Sequence, residues 1–368
     1  MTTGMSLQRW KKLGQLDREI SIYSKLAKKL DCIDIYTYGM NENHLLSEHK
    51  SLEVGVEKKS RFWARNIKSP RLHSYLNYCW NIYNLFAKRK YFNSIDILKT
   101  NQYRGSIFGV LIKKLYKKPL IVRMGWYHGH FKHPILRRKK VEEWVFNNAD
   151  KVILTNELAK RYICDTYKIK SEDVAIIPNS IDTYLFSPCS HDKEYDVIYV
   201  GRLHKEKNLE LLISALVLIK KPLKVLIVGD GDLEILKKIK AVNIHNIDYK
   251  KNVPNPELPN LLNKSRVFVL LSKYEGNPKT LLEAMSCSLP VIGNNASGIS
   301  EIINDKETGL IVNNDPSELI KSIDKILNNN SFAKKLGENA RQYIVENYNI
   351  DKIVNNEAQL IRSMLSNH

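Results

Sequence analysis

No stretch of this 368-residue chain approaches the ~20 consecutive apolar residues that a helix needs to cross a bilayer. The opening MTTGMSLQRWKK also lacks the apolar centre of a secretory signal. The chain is therefore expected to stay in the cytoplasm. Cysteine is scarce: Cys32, Cys79, Cys164, Cys189 and Cys287 are odd in number, widely spaced and form no CxxC pair. Neither a disulfide framework nor a zinc site is indicated, and buried structural thiols are expected. There is no solenoid repeat and no low-complexity tract. Acid is short in one part alone. Residues 1–150 hold 12 Asp+Glu against 29 Lys+Arg, whereas residues 151–368 hold 27 against 29, so the formal charge of +19 falls as +17 and +2. A global composition bias would load both parts alike. The asymmetry points to an anionic partner for the first part, a membrane surface or a nucleic acid.

What is present is core-forming. With 43% apolar residues the chain can fill two cores, which excludes a disordered or fibrous class. Strand-like and helix-like segments alternate, the pattern of an α/β fold with parallel sheets. In the second part the runs DVIYV (196–200), KVLIVG (224–229), NIDY (246–249) and RVFVLLS (266–272) are each followed by a helical stretch, and LPVIG (289–293) comes next. Such units imply right-handed crossovers, one parallel sheet, and ligands beyond the carboxyl ends of its strands. The first part offers DCIDIYTYG (31–39), SLEVGV (51–56), SIDILKT (94–100), PLIVRMG (119–125), DKVILTN (150–156) and VAIIPN (174–179). The polar, aperiodic SPCSHDKEYD (187–196) reads as the interdomain linker. The expected division is 1–190, 191–346 and an amphipathic helix in 347–368 that packs back on the first domain. The two doubly wound domains would face each other across a cleft.

Three features fall at strand ends of the second part. GRLHKEKN (201–208) places Arg202 and Lys207 in a loop leading to a helix, where two cations could hold a diphosphate and stabilise its growing charge as it leaves. YEGNPKTLLEAMSCSLPVI (274–292) puts Glu275 in a loop and Glu283 in the next helix, and Gly276, Asn277 and Pro278 between them could bring backbone N–H groups toward an anion or sugar hydroxyls. Glu283 has two readings at this level, a ligand contact or the far end of a capping box begun by Thr280. Glu275, a loop carboxylate beside a Gly-Asn-Pro turn, does nothing for helix or core. VAIIPNSIDTYLF (174–186) adds a strand and a Pro-Asn-Ser turn.

Together these segments, in this order and with GISEII and GLIV near 298–312, resemble the family-4 retaining glycosyltransferases, whose two-domain architecture is called GT-B. The resemblance covers nearly the whole chain and is strongest over 174–312. It implies a hexosyltransferase in which Arg202 and Lys207 contact the donor diphosphate, Glu275 the transferred sugar and Glu283 the ribose. Gly276, Asn277, Pro278 and Thr280 would lie around the donor, with Lys250 to Val253 near the base. The capping-box reading of Glu283 then becomes secondary. It further implies retention by front-face attack, in which the leaving phosphate helps deprotonate the acceptor, without a metal or other cofactor. Two features depart from the pattern. The family usually opens with a strand running into a glycine loop, whereas this sequence begins Met1-Thr2-Thr3-Gly4 without a recognisable first strand, which puts the donor role expected of Gly4 in doubt. In RMGWYHGHF (123–131) His128 and His130 compete for the place near the reacting centre, and both also read as solvated loop histidines.

Asp230 and Asp232 in VGDGD mimic an Asp-x-Asp metal site, but they follow a parallel strand, and two basic phosphate ligands remove the need for a metal. The basic clusters KKSRFWARNIK (58–68), AKRKYF (87–92), KKLYKK (113–118) and KHPILRRKK (132–140) carry interleaved aromatics, including Trp63, Tyr91 and Phe92, suited to an anionic leaflet. The expected partners are a nucleotide-sugar donor, a glycan or lipid-linked acceptor, and the inner face of a membrane. Nucleic acid is not expected, since no zinc-finger or RNA-recognition signature is present. The alternatives are a nucleotide-sugar epimerase of similar architecture, a non-enzymatic basic binding protein, or an inactive scaffold.

Overall fold

A computed structural model describes residues 7–12, 14–35, 83, 85–101, 103–125, 136–242 and 246–366. The chain divides into two compact units, Met1–Ile177 with Val354–His368, and Pro178–Ile353. The division falls ahead of the expected linker at 187–196. The Ile177 N–H still bonds Leu154 of the first sheet, whereas Ile181 already exchanges backbone bonds with Tyr348 and Ile350 of the second unit.

In the first unit, helices α1 (Leu7–Lys12), α2 (Leu16–Ala27) and α3 (Arg89–Ser94) precede strand β1 (Leu98–Thr100). The order then runs α4 (Tyr103–Tyr116), β2 (Leu120–Met124), α5 (Leu136–Asn147), β3 (Lys151–Leu154), α6 (Glu157–Tyr167) and β4 (Val174–Ile176). The strands form one parallel sheet in the order β1-β2-β3-β4. Leu120, Ile121 and Val122 of β2 are fully buried, as an apolar strand with both faces covered must be. Among the segments expected as strands, 31–35 is irregular, and 36–39 and 51–56 lie outside the described residues.

The second unit holds β5 (Tyr195–Val200), α7 (Leu209–Leu218), β6 (Lys224–Val228), α8 (Leu233–Lys240), β7 (Asn246–Lys250), α9 (Leu258–Asn263) and β8 (Ser265–Leu270). It continues through α10 (Lys279–Ser286), β9 (Val291–Asn294), β10 (Leu310–Val312), α11 (Pro316–Asn328) and α12 (Asn330–Tyr348). Strand β10 and helices α11 and α12 have no counterpart among the expected elements. The last helix, α13 (Ile350–Ser366), begins in this unit, and its residues from Val354 onward belong to the first. The six parallel strands lie in the order β10-β9-β8-β5-β6-β7. Alternate residues of β5 feed two cores, Val197 and Tyr199 on one face and Ile198 and Val200 on the other, as the two-residue strand period requires. The chain enters at β5, builds outward through β6 and β7, then returns to β5's other side with β8. The strand order therefore reverses between β5 and β8, the switch point where an open α/β sheet leaves a crevice beyond its carboxyl ends.

Of the described thiols, only Cys287 is buried; Cys164 is half-buried, while Cys32 and Cys189 are exposed. The expectation of buried thiols is corrected to that extent, because Cys32 and Cys189 lie in irregular segments rather than on core faces. Cys79 is outside the described residues. Burial pushes the Cys287 thiol up to about 12, with Glu283 adding to the effect.

Candidate functional site

The β5 end carries GRLHKEKN. Leu203 is buried, Arg202 is exposed, and one short turn, Lys205–Lys207, brings Lys207 half-buried to the start of α7. The close approach of Gly229 to this loop requires glycine: a Cβ there would lie 1.8 Å from the Gly201 carbonyl oxygen. On the other side of the switch point, the chain leaves β8 through Ser272 and turns at Glu275. The Glu275 backbone N–H bonds the Ser297 carbonyl at 2.8 Å. Gly298, at φ +78°, passes so near that a Cβ would lie 2.3 Å from the Glu275 carbonyl oxygen.

These two loops meet. Lys207 Nζ stands 2.5 Å from Glu275 Oε1, and Ser272 Oγ donates to the same oxygen at 2.6 Å. Both members of the ion pair are mostly shielded, with side chains 17% and 13% exposed. Glu275, which the sequence presents as a loop carboxylate serving neither helix nor core, in fact anchors Lys207 across the switch point. Tyr274 beside it is pushed up to about 12 by burial and by its hydrogen bond to Glu206.

The PNS turn joins the same place. The Asn179 N–H donates to Asn277 Oδ1 at 2.9 Å, and Asn179 Nδ2 donates to the Asn277 carbonyl at 2.6 Å. Gly276, Asn277 and Pro278 are buried, and α10 begins directly after Pro278 without a side-chain cap. Thr280 therefore lies inside the first turn and no capping box forms. Glu283 is fully buried, and its Oε1 accepts a 3.0 Å hydrogen bond from Asn255 Nδ2.

Lys250 and Val253 lie at the end of β7 and just beyond it, two strands from the switch point. The Lys250 carbonyl accepts from the Gly229 N–H at 3.0 Å, and Val253 packs on the core. Asp232 caps α8 through the Glu234 N–H, and Asp230 accepts from the Gly231 N–H, so each carboxylate has a local backbone role. Gly4, His128 and His130 lie outside the described residues. Sequence reasoning missed Asn255 and Ser272. Ser272 closes an apolar strand as its first polar residue, and Asn255 opens a short turn after a proline; both are weak signals.

A second surface belongs to the first unit. Leu85, Phe92 and Ile112 form a small core that seats residues 85–94 against the latter half of α4. Tyr116 OH donates to the Leu85 carbonyl, and the Phe92 and Tyr116 rings stack at 5.5 Å. This joins two of the basic clusters and buries Phe92, which corrects its expected place at the headgroups, while Trp63 lies outside the described residues; Tyr83, Phe86 and Leu115 are exposed instead, as are Arg89, Lys90, Lys114 and Lys117. Among the described residues, no helix is long and apolar enough to cross a membrane.

Comparison with known proteins gives two family matches, Glycosyl transferases group 1 over residues 180–343 and Glycosyltransferase Family 4 over residues 39–185. An uncharacterised glycosyltransferase of Methanocaldococcus jannaschii is 25% identical over 388 aligned positions, covering 96% of each chain. The Escherichia coli UDP-Gal:alpha-D-GlcNAc-diphosphoundecaprenol alpha-1,3-galactosyltransferase is 29% identical over 322 positions, covering 78% of this chain and 79% of that one. Among solved structures, Anabaena HepE in complex with UDP and glucose superposes with a TM-score of 0.76 at 16% identity, over 94% of this chain and 95% of that one.

Proposed function

The chain belongs to the family-4 glycosyltransferases and has their GT-B fold, and from that premise we propose that it transfers a sugar, with retention, from a nucleoside diphosphate sugar to a lipid-linked glycan at an anionic membrane surface. The observation that carries the proposal is the Lys207–Glu275 pair at the switch point of the second sheet. An ammonium has three N–H donors; one serves Glu275, and two remain for diphosphate oxygens. Arg202, exposed at the same strand end, adds a second cation. Charge that grows on the leaving diphosphate would meet these groups already in place, the condition under which electrostatic stabilisation accelerates a reaction. Glu275, with one oxygen engaged by Lys207 and Ser272, has its other oxygen for a sugar hydroxyl. Glu283, held by Asn255, would take the ribose, and the buried Gly276–Pro278 turn would line the sugar. In front-face attack the departing phosphate accepts the acceptor's proton, so no enzymic base is invoked.

The relative that uses UDP-Gal and a diphosphoundecaprenol-linked acceptor, and the neighbour that holds UDP, favour a uridine donor and a lipid-linked acceptor. The exposed aromatic and basic surface of the first unit favours docking on anionic headgroups, since each basic residue near such a surface contributes ~1 kcal/mol.

The test is a thermal-shift screen against UDP, GDP, ADP, CMP and their sugar conjugates, repeated with Lys207→Ala. A ligand at ~100 times its dissociation constant adds ~2.7 kcal/mol of stability. A shift with one diphosphate series that is lost in the variant is the expected result. No shift with any nucleotide overturns the proposal.

A further inference from the structure

The carboxyl ends of four adjacent strands are stitched together by side-chain amides. Asn208 follows the β5 loop, Ser272 follows β8, Asn294 ends β9 and Asn314 follows β10. Asn208 Nδ2 donates to Asn314 Oδ1 at 2.6 Å, and the Asn314 N–H donates to Asn294 Oδ1 at 3.0 Å. Asn294 Nδ2 donates to the Ser272 carbonyl at 3.3 Å, and Ser272 Oγ reaches Glu275, which holds Lys207, the residue bonded to Asn208. The contacts thus close into a ring that crosses β10, β9, β8 and β5 in sheet order. Asn208, Ser272 and Asn294 are buried.

Two members of the ring also hold a conformation that L-residues avoid. Asn208 and Asn314 have φ of 54° and 58°, in the left-handed region that asparagine tolerates because its side chain bonds locally. Buried amides and left-handed backbone are both costly, and together they persist only where surrounding contacts over-determine them. Neither core needs them, since the apolar residues of β5, β8 and β9 already fill both faces.

We propose that this ring is a positioning device: Asn294 and Asn314 fix the separation of Lys207 and Glu275 before the donor arrives. The inference rests on Lys207 as a diphosphate contact. Without the ring, the turn that bears Lys207 and the loop that bears Glu275 are joined by their own ion pair, by the Tyr274–Glu206 side-chain hydrogen bond and by a backbone bond from the Lys273 N–H to the Glu206 carbonyl at 2.9 Å.

The experiment uses the full chain and the nucleoside diphosphate, among UDP, GDP and ADP, that gives a thermal shift. Its dissociation constant is measured by calorimetry for wild type, Asn314→Gly, Asn294→Ala, Lys207→Ala and the two doubles with Lys207→Ala. Asn314→Gly is the decisive variant. Asn314 is exposed and glycine accepts its backbone angle, so the fold is kept while the bond to Asn208 is lost. The expected result is binding weakened about 10-fold by Asn314→Gly, and by less than about 2-fold when Lys207 is already alanine, the non-additivity of residues acting as a unit. Acetic anhydride should also label Lys207 faster in Asn314→Gly, as read by mass spectrometry. Wild-type affinity in both ring variants, or losses that multiply in full with Lys207→Ala, overturns the ring while leaving the donor site standing. Wild-type affinity in Lys207→Ala, or no shift with any of the three diphosphates, overturns the donor site and the ring with it.

Discussion

At the scale of single residues, the site is a set of charges held by polar neighbours. Lys207→Ala is expected to lower transfer ~100- to 1,000-fold, equivalent to ~2.7–4 kcal/mol of lost transition-state stabilisation, as read from kcat/KM. Glu275→Ala removes the counter-charge of a half-buried ammonium. Its structural cost is expected at ~1 kcal/mol, read from the urea midpoint, in addition to its effect on transfer. Glu275→Gln should recover most of that stability, because the amide oxygen can still accept from Ser272, but not the activity. Activity retained in both variants would remove Glu275 from the site. The charged pair and the Asn-Pro turn were legible in the sequence because each stood at the end of an apolar run. Their mutual bond was not, since 68 residues separate Lys207 from Glu275 and only the strand order brings them together. The Thr280–Glu283 spacing misled for a related reason. A capping box needs its threonine outside the helix, and here Pro278 sets the boundary two residues earlier.

At the scale of elements, the last helix carries its own test. Glu357, buried on α13, bonds Lys99 of β1 and accepts from Arg123 Nη1 of β2 at 2.9 Å. Burial alone would raise this carboxyl, but Lys99 and Arg123 outweigh it and hold it below the usual carboxylate range. Burial in turn lowers Lys99. A carboxylate depressed in the folded state contributes stability that is present above its unfolded value of ~4.3 and is lost as pH falls through the folded value. Amide exchange over Val354–Ser366 should therefore accelerate as pH is lowered beneath ~4, after correction for the intrinsic rate. Glu357→Ala, which strands two cations, should cost ~3–5 kcal/mol at neutral pH. Unchanged protection in that variant would show that apolar packing alone holds the helix. The amphipathic spacing of Ile350, Ile353, Val354, Ile361, Met364 and Leu365 made the helix legible; the first five are buried, whereas Leu365, in its last turn, is exposed. Strand β10 was harder to read because its three residues are too short for a period to show.

At the scale of the whole molecule, the uneven charge becomes a measurable affinity. Sedimentation with anionic vesicles should be strong at low salt and fall as the Debye length shortens from ~10 Å at 0.1 M to ~3 Å at 1 M, while neutral vesicles pellet little protein. Replacing Arg89, Lys90, Lys114 and Lys117 by glutamate should reduce binding at every salt concentration without changing the response to nucleotide. Salt-independent pelleting would assign the attraction to Tyr83, Phe86 and Leu115 instead. The division of the chain has a further consequence, for biogenesis. The first unit draws residues from both Met1–Ile177 and Val354–His368. At the ~5–20 residues per second of a ribosome, the wait between those two stretches is roughly 10–35 s. Through that interval the second unit can be synthesised and fold, while Lys99 and Arg123 have yet to meet Glu357. The half of the protein made first is thus the half finished last, and a nascent-chain chaperone would find its client there.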